Sequence, residues 1–146
     1  MNTQDYSASF TVNSSPGQVF NSINNVSAWW TGDLEGSSEK LNAEFTVHFG
    51  EVHVSTQKIV AFVPGKKITW LVTASKLNFI KDQQEWNNTS LHFNIEQNGS
   101  HTEVNFTHAG LCPQMECFKD CSKGWDYYFK GSLYKLLTEG KGTPGL

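Results

Sequence analysis

The residues best suited to chemistry lie where one histidine is followed by all three cysteines of the chain. His108, Cys112, Cys117 and Cys121 form the pattern His-x3-Cys-x4-Cys-x3-Cys. An imidazole on an apolar face can bind a ligand carbonyl or act as a general base. A histidine at a strand end can equally cap the local backbone. Both interpretations of His108 stay open from the sequence.

The spacing of these four residues does not match the established zinc motifs. Two cysteines four residues apart on a helix have poor geometry for a disulfide. We therefore predict three free thiols that pack as small buried residues. We expect no metal and no cofactor, and we assign no catalytic residue, because no nucleophile–base pair, phosphate loop or dinucleotide fingerprint is present.

Length and charge narrow the function classes. The 146 residues predict one domain, 1–146, with a net charge of −3 and no arginine among the eleven basic residues. Arginine supplies bidentate contacts to phosphate and guanine, so its absence argues against nucleic-acid binding. Met1–Asp5 is too polar to open a signal peptide, and no apolar run reaches membrane-spanning length. We expect a cytoplasmic protein without a membrane span.

The first part of the chain predicts a strand followed by two short helices. Residues 6–12 alternate apolar and polar, which is typical of a strand buried on one face. Ser15 and Pro16 then form a helix start, and helical spacing continues to Trp30 with a break near Asn24 and Asn25. For Trp29 and Trp30, we expect at most one side chain to face inward. Residues 31–42 are predicted to be a loop.

From Glu44 to the start of the predicted long helix the pattern is β. Turns are expected at Gly50-Glu51, Pro64-Gly65 and Asn98-Gly99, with a polar connection over residues 76–88. The residues of the last hairpin that share one strand parity are predicted to face the C-terminal helix: Leu91, Phe93, Ile95, Val104, Phe106 and His108.

One long helix of roughly 25 residues is predicted between Pro113 and Gly140. Its apolar arc contains Phe118, Cys121, Trp125 and Phe129. Two glycines, Gly124 and Gly131, lie inside it although glycine costs about 1 kcal/mol in a helix. Close approach of the backbone to a sheet or a ligand is the usual reason. The predicted fold is therefore α+β: a curved antiparallel sheet wrapped around a long C-terminal helix.

Several short elements occur together in a recognisable order. They are Glu85-Trp86, Asn105-Phe106-Thr107-His108, Gly110-Leu111, Glu116-Cys117, Gly124-Trp125, Ser132-Leu133 and the tail Gly140-Lys141-Gly142-Thr143-Pro144. In this order they resemble the helix-grip superfamily of START domains and the birch-pollen-allergen fold (SRPBCC). Within it, they resemble the bacterial group classed with the activator domain of the heat-shock protein 90 ATPase. Asn88 departs from the glycine expected in that turn.

The resemblance implies an apolar cavity between the sheet and the long helix. On this basis we expect the following residues to bind a small hydrophobic molecule: Trp30, Phe45, Val47, Trp70, Phe93, Phe106, His108, Phe118, Cys121, Trp125 and Phe129. A chaperone-associated interaction module is the alternative, because relatives stimulate a chaperone. A cavity enzyme of cyclase or hydrolase type is a third hypothesis, and fold alone does not decide among them.

Overall fold

The computed structural model describes residues 5–145 of the protein. The chain runs in this order: β1 (Tyr6–Val12), α1 (Pro16–Asn24), α2 (Val26–Trp29), β2 (Leu34–Gly36), β3 (Glu44–Phe49), β4 (His53–Val63), β5 (Lys67–Leu77), β6 (Ser90–Asn98), β7 (His101–Ala109) and a C-terminal helix. That helix consists of α3 (Phe118–Trp125), a π-helical segment (Asp126–Leu133) and α4 (Tyr134–Glu139). Among the described residues, the helices are too short or too polar to cross a membrane.

The strands form one antiparallel sheet in the order β1-β7-β6-β5-β4-β3-β2. Apart from β1, each strand pairs with its neighbour in the chain, which confirms the predicted meander. On the inner face, Phe93 lies opposite Phe106 and Leu91 opposite His108. All six residues predicted to face the helix from β6 and β7 are buried. The predicted α+β fold, with a curved sheet around a long helix, is confirmed.

The start of α1 follows the sequence signals. The Ser15 hydroxyl accepts a hydrogen bond from the Gln18 amide, and the Gln18 side chain accepts one from the Ser15 amide. This capping box satisfies two amides that a helix start leaves free. The predicted break is also present, since α1 ends at Asn24 and α2 begins at Val26.

The prediction that only one of Trp29 and Trp30 faces inward is wrong. Both are buried, and their indoles stack with ring centroids 6.2 Å apart. The helix α2 ends at Trp29, and Trp30 has φ −96° and ψ −67°. Because Trp30 lies past the regular helix, its side chain leaves the helical arc and can follow Trp29 into the core.

The C-terminal helix begins five residues later than predicted, at Phe118 rather than Pro113. The Glu85 carboxylate, from the connection between β5 and β6, accepts hydrogen bonds from the Glu116 amide at 2.8 Å and the Cys117 amide at 3.0 Å. These bonds satisfy amides at the helix entrance, so residues 113–117 remain in turns. A side chain distant in sequence therefore decides where the helix starts.

Two further differences from the predicted elements each concern only a few residues. The segment 31–42 is not only loop, because Leu34–Gly36 adds a short edge strand beside β3. The last hairpin pairs Asn98 with His101, so its turn is Gly99-Ser100 and lies one residue after the predicted turn. Asn88 has φ 68°, a left-handed conformation that asparagine tolerates better than most residues, which explains how it replaces glycine.

The tail after the helix folds back across it. Gly140 ends the helix at φ 82°, as predicted. The Thr143 amide then donates to the Ser132 hydroxyl at 2.7 Å, and the Gly145 amide donates to the Trp30 carbonyl at 2.9 Å. A Cβ at Gly142 would lie 2.5 Å from the Ala28 carbonyl oxygen, so only glycine fits there.

We predict that Gly142→Ala destabilises the protein by at least about 1 kcal/mol, because the added methyl group meets backbone atoms that cannot rotate away. The measurement is urea unfolding followed by tryptophan fluorescence. Gly32→Ala is the matched control, because a Cβ there has no neighbour within 4 Å. Equal midpoints for the two variants would show that the tail does not contribute to stability.

Candidate ligand pocket

An apolar pocket of about 110 Å³ opens between the C-terminal helix, the β3–β4 hairpin and the connection after β5. Six aromatic side chains contribute to its wall, together with one histidine, one aspartate, one cysteine and one glycine. The lining residues are Trp30, Phe49, His53, Phe79, Trp86, Asp120, Cys121, Gly124, Trp125 and Tyr128.

Three of these aromatic residues form a tryptophan stack, which we define as Trp30, Trp86 and Trp125. The Trp30 and Trp125 rings are 5.1 Å apart at 27°, and the Trp86 and Trp125 rings are 5.9 Å apart at 12°. All three are buried. Near-parallel offset rings attract each other beyond simple burial of area. The stack thus gives the pocket a rigid wall.

Behind the stack, a chain of hydrogen bonds uses both nitrogens of His108. The Trp125 indole N–H donates to His108 Nδ1 at 3.0 Å, which leaves the proton of the neutral imidazole on Nε2. Nε2 lies 2.9 Å from the Thr89 hydroxyl and donates to it, and Thr89 donates to the Trp86 carbonyl at 2.6 Å. His108 therefore joins two side chains inside the core. In this arrangement it neither caps backbone nor has a nitrogen free to act as a base.

His53 is the histidine that reaches the pocket. It lies on β4, opposite Phe49, and its Nε2 is 2.9 Å from the Ser55 hydroxyl. Its ring is nearly perpendicular to that of Trp86, with centroids 4.6 Å apart. Burial lowers the pKa of His53 to about 4, so the side chain is neutral at pH 7.

Gly124 widens the pocket. A Cβ at this position would have no neighbour within 4 Å, and one at Gly131 would meet only the Asp126 carbonyl oxygen at 3.8 Å. Close approach of the helix backbone to the sheet is therefore not the reason for these glycines. At Gly124 the missing side chain leaves open space in the pocket, and close approach to a ligand there stays a prediction.

All three cysteines are free thiols; Cys117 and Cys121 are buried as predicted, whereas Cys112 is only partly buried. Cys117 accepts a hydrogen bond from the Trp86 indole at 3.3 Å, and Cys121 forms part of the pocket wall. Hydrogen bonding to Cys117 and burial raise the pKa of the Cys121 thiol. The thiol is therefore protonated and a poor nucleophile. Residues 5–145 contain no cluster of three or more metal-ligating side chains.

The structure brings only part of the predicted ligand site together. Trp30, Cys121 and Trp125 line the pocket. Seven others lie fully buried in the core next to it: Phe45, Val47, Trp70, Phe93, Phe106, His108 and Phe129. Phe118 lies apart, beside Tyr6 and Pro113. Whether any of these residues binds a ligand stays a prediction.

The sequence-based site did not include the seven other wall residues: Phe49, His53, Phe79, Trp86, Asp120, Gly124 and Tyr128. Phe49 shares the strand parity of Phe45 and Val47, which could have identified it. Trp86 contributes to the family resemblance but belongs to no periodic pattern that would place it in a pocket. Phe79 lies in a connection without periodicity, so no local pattern could place it.

The two buried histidines make stability depend on pH. Burial is the main cause that lowers the pKa of His108 to about 3, with the neighbouring His53 and His92 adding to it. An unfolded histidine has a pKa of roughly 6.5. Between these values the unfolded state binds more protons, so the free energy of unfolding rises with pH. The contribution of buried, neutral His108 to the free energy of unfolding is complete above about pH 6.5. It is lost as the pH falls toward 3.

We predict that His108→Gln flattens the pH dependence of the free energy of unfolding between pH 6 and pH 4.5, by up to about 1.4 kcal/mol per pH unit. Glutamine can accept from Trp125 and donate to Thr89, so packing is largely kept. Urea unfolding at several pH values measures the slope. The control is His101→Gln, at an exposed position. If the free energy of unfolding of His108→Gln depends on pH as steeply as that of the wild type, His108 is not the source of the pH dependence.

Comparison with known proteins places this geometry in context. The family model described as "Activator of Hsp90 ATPase homolog 1-like protein" matches residues 13–138. No curated protein sequence gives a significant match.

Among solved structures, the Aha1 dimer from Colwellia psychrerythraea is 20% identical with a TM-score of 0.77, covering 95% of this chain and 99% of that one. A protein from Staphylococcus saprophyticus is 14% identical with a TM-score of 0.72, covering 98% of each chain. DynU16, from the dynemicin biosynthetic locus, is 14% identical with a TM-score of 0.70, covering 93% of this chain and 48% of that one. At these identities the likeness concerns the fold alone.

Proposed function

Because the chain belongs to the family of activator of Hsp90 ATPase homolog 1-like proteins, we propose that it binds a small apolar molecule in the pocket beside the C-terminal helix. The observation that carries the proposal is the convergence of six aromatic side chains on one open pocket. Apolar concave sites with a few polar groups are the usual places where small ligands bind.

The size of the pocket limits what it can enclose. Its volume of about 110 Å³ is below the roughly 300–1,000 Å³ of pockets for drug-sized ligands. It is closer to the apolar cavity of about 150 Å³ that holds benzene in an engineered lysozyme. The pocket thus suits one ring or a group of that size. A fatty acid or sterol would have to extend through the mouth.

We predict that Gly124→Ala weakens binding of 2-phenylethanol about three- to fivefold, because the new methyl group occupies pocket space and displaces ring contacts. The same variant should be more stable than wild type by about 0.5–1 kcal/mol, since alanine favours the helix. Binding is measured by quenching of tryptophan fluorescence or by calorimetry, and stability by urea unfolding.

Gly131→Ala is the matched control, because it makes the same substitution in the same helix outside the pocket wall. It should leave binding unchanged. Equal loss of binding in both variants would point to an effect of the helix rather than of the pocket. No binding of 2-phenylethanol by the wild type up to millimolar concentration would contradict the proposed function.

A second candidate function is docking to a partner protein such as a chaperone. Exposed apolar residues Val52, Phe79 and Tyr127 lie near the mouth of the pocket. The Asn78 amide donates to the Val52 carbonyl at 3.0 Å, which brings Phe79 beside the hairpin, while Tyr127 contacts the wall residue Tyr128.

Phe79→Ser should weaken association with an Hsp90-type ATPase, whereas Leu41→Ser, at an exposed leucine elsewhere, should not.

A further inference from the structure

Among residues 5–145, Asp120 is the only formally charged residue that lines the pocket at pH 7. It lies in the first turn of the C-terminal helix and is exposed at the rim. Lys119 and Lys123 are close in sequence. Within the described part of the chain, however, the two ion pairs are His48–Glu35 and Lys130–Asp126, so the Asp120 carboxylate has no partner there. The Asp120 carboxylate at the rim is therefore available to pair with a cationic ligand.

Within residues 5–145, no positively charged side chain lines the pocket. The indole N–H groups of Trp86 and Trp125 already donate to Cys117 and His108. The pKa of His53 is lowered to about 4 by burial, so its ring carries no positive charge at pH 7. A carboxylate drawn into this pocket would lose water without gaining a cation, which is strongly unfavourable.

We infer that the pocket selects aromatic amines: the ring of the ligand lies against the tryptophan stack, and its ammonium group pairs with Asp120 at the rim. This inference rests on the proposed function, since it concerns the same pocket. The wall of the pocket is mostly aromatic, and an aromatic ring packs against aromatic side chains better than an aliphatic chain of equal area does. The volume of about 110 Å³ admits one ring and leaves a short polar arm at the mouth.

The charge preference is expected to be modest because Asp120 is exposed. Exposed ion pairs are screened by water and salt. We therefore expect about a two- to fivefold preference for a cation over a neutral molecule of the same shape. Discrimination against an anion should be larger, because the anion is both repelled by Asp120 and left without a cation to pair with.

Three probes with the same ring and the same two-carbon arm test this: 2-phenylethylamine, 2-phenylethanol and 3-phenylpropanoate. Their dissociation constants are measured by calorimetry at pH 7.5 and low salt. We expect the amine to bind tightest, the alcohol next and the acid weakest. If the alcohol binds as tightly as the amine, the inference is overturned while the proposed function stands. If none binds, the proposed function itself fails.

Asp120→Asn should reduce the amine-to-alcohol affinity ratio to about one. Glu139→Gln is the matched control, because it removes one negative charge from the same helix about 28 Å away, and it should keep the wild-type ratio. A ratio lowered equally by both variants would show that overall charge, rather than Asp120 at the pocket, sets the preference, and would overturn the inference.

Discussion

The Trp125 indole is the contact on which the arrangement of the helix, the sheet and the pocket depends. It stacks with Trp30 from the N-terminal helices and with Trp86 from the connection after β5, and it bonds His108 of β7. One side chain thus joins four parts of the chain. Because the Trp125 indole N–H and both nitrogens of His108 are satisfied, these two buried side chains avoid the cost of unpaired polar groups.

A second set of contacts holds the connection after β5 against the helix entrance. The Glu85 carboxylate receives the amides of Glu116 and Cys117, and the Glu116 carboxylate receives the amides of Lys81 and Asp82. These backbone hydrogen bonds lower the pKa of Glu116. These reciprocal hydrogen bonds of Glu85 and Glu116 position Trp86 next to Trp125. It also explains why the pairs Glu85-Trp86 and Glu116-Cys117 occur together.

The proposed ligand binding depends on where the packed core ends and open space begins. Most of the inner face is filled, from Phe93 and Phe106 on the sheet to Phe129 on the helix. Space remains where the helix carries Gly124 and the sheet carries His53. The pocket is therefore a small opening at one end of a packed core, and the proposed ligand of about one ring fits it better than a long lipid would.

The order of elements was predictable because local patterns determine it. Each of these signals spans only a few neighbouring residues. The alternation in residues 6–12 forms a strand, a helix starts at Ser15-Pro16, and the last helix ends at Gly140, all as expected. Shared parity also identified the inward position of His108. The family resemblance, carried by short elements in a fixed order, is confirmed by the match over residues 13–138.

What the sequence by itself determined was which side chains turn inward, since that depends on periods of 2 and about 3.6 residues. Only the tertiary structure decided which inward residues pack and which line space. Phe106 and Trp125 belong to the same predicted inner surface, yet only Trp125 reaches the pocket. The reason is that a cavity is defined by distances between elements, and those distances depend on contacts such as Glu85 with Cys117 that no local pattern encodes.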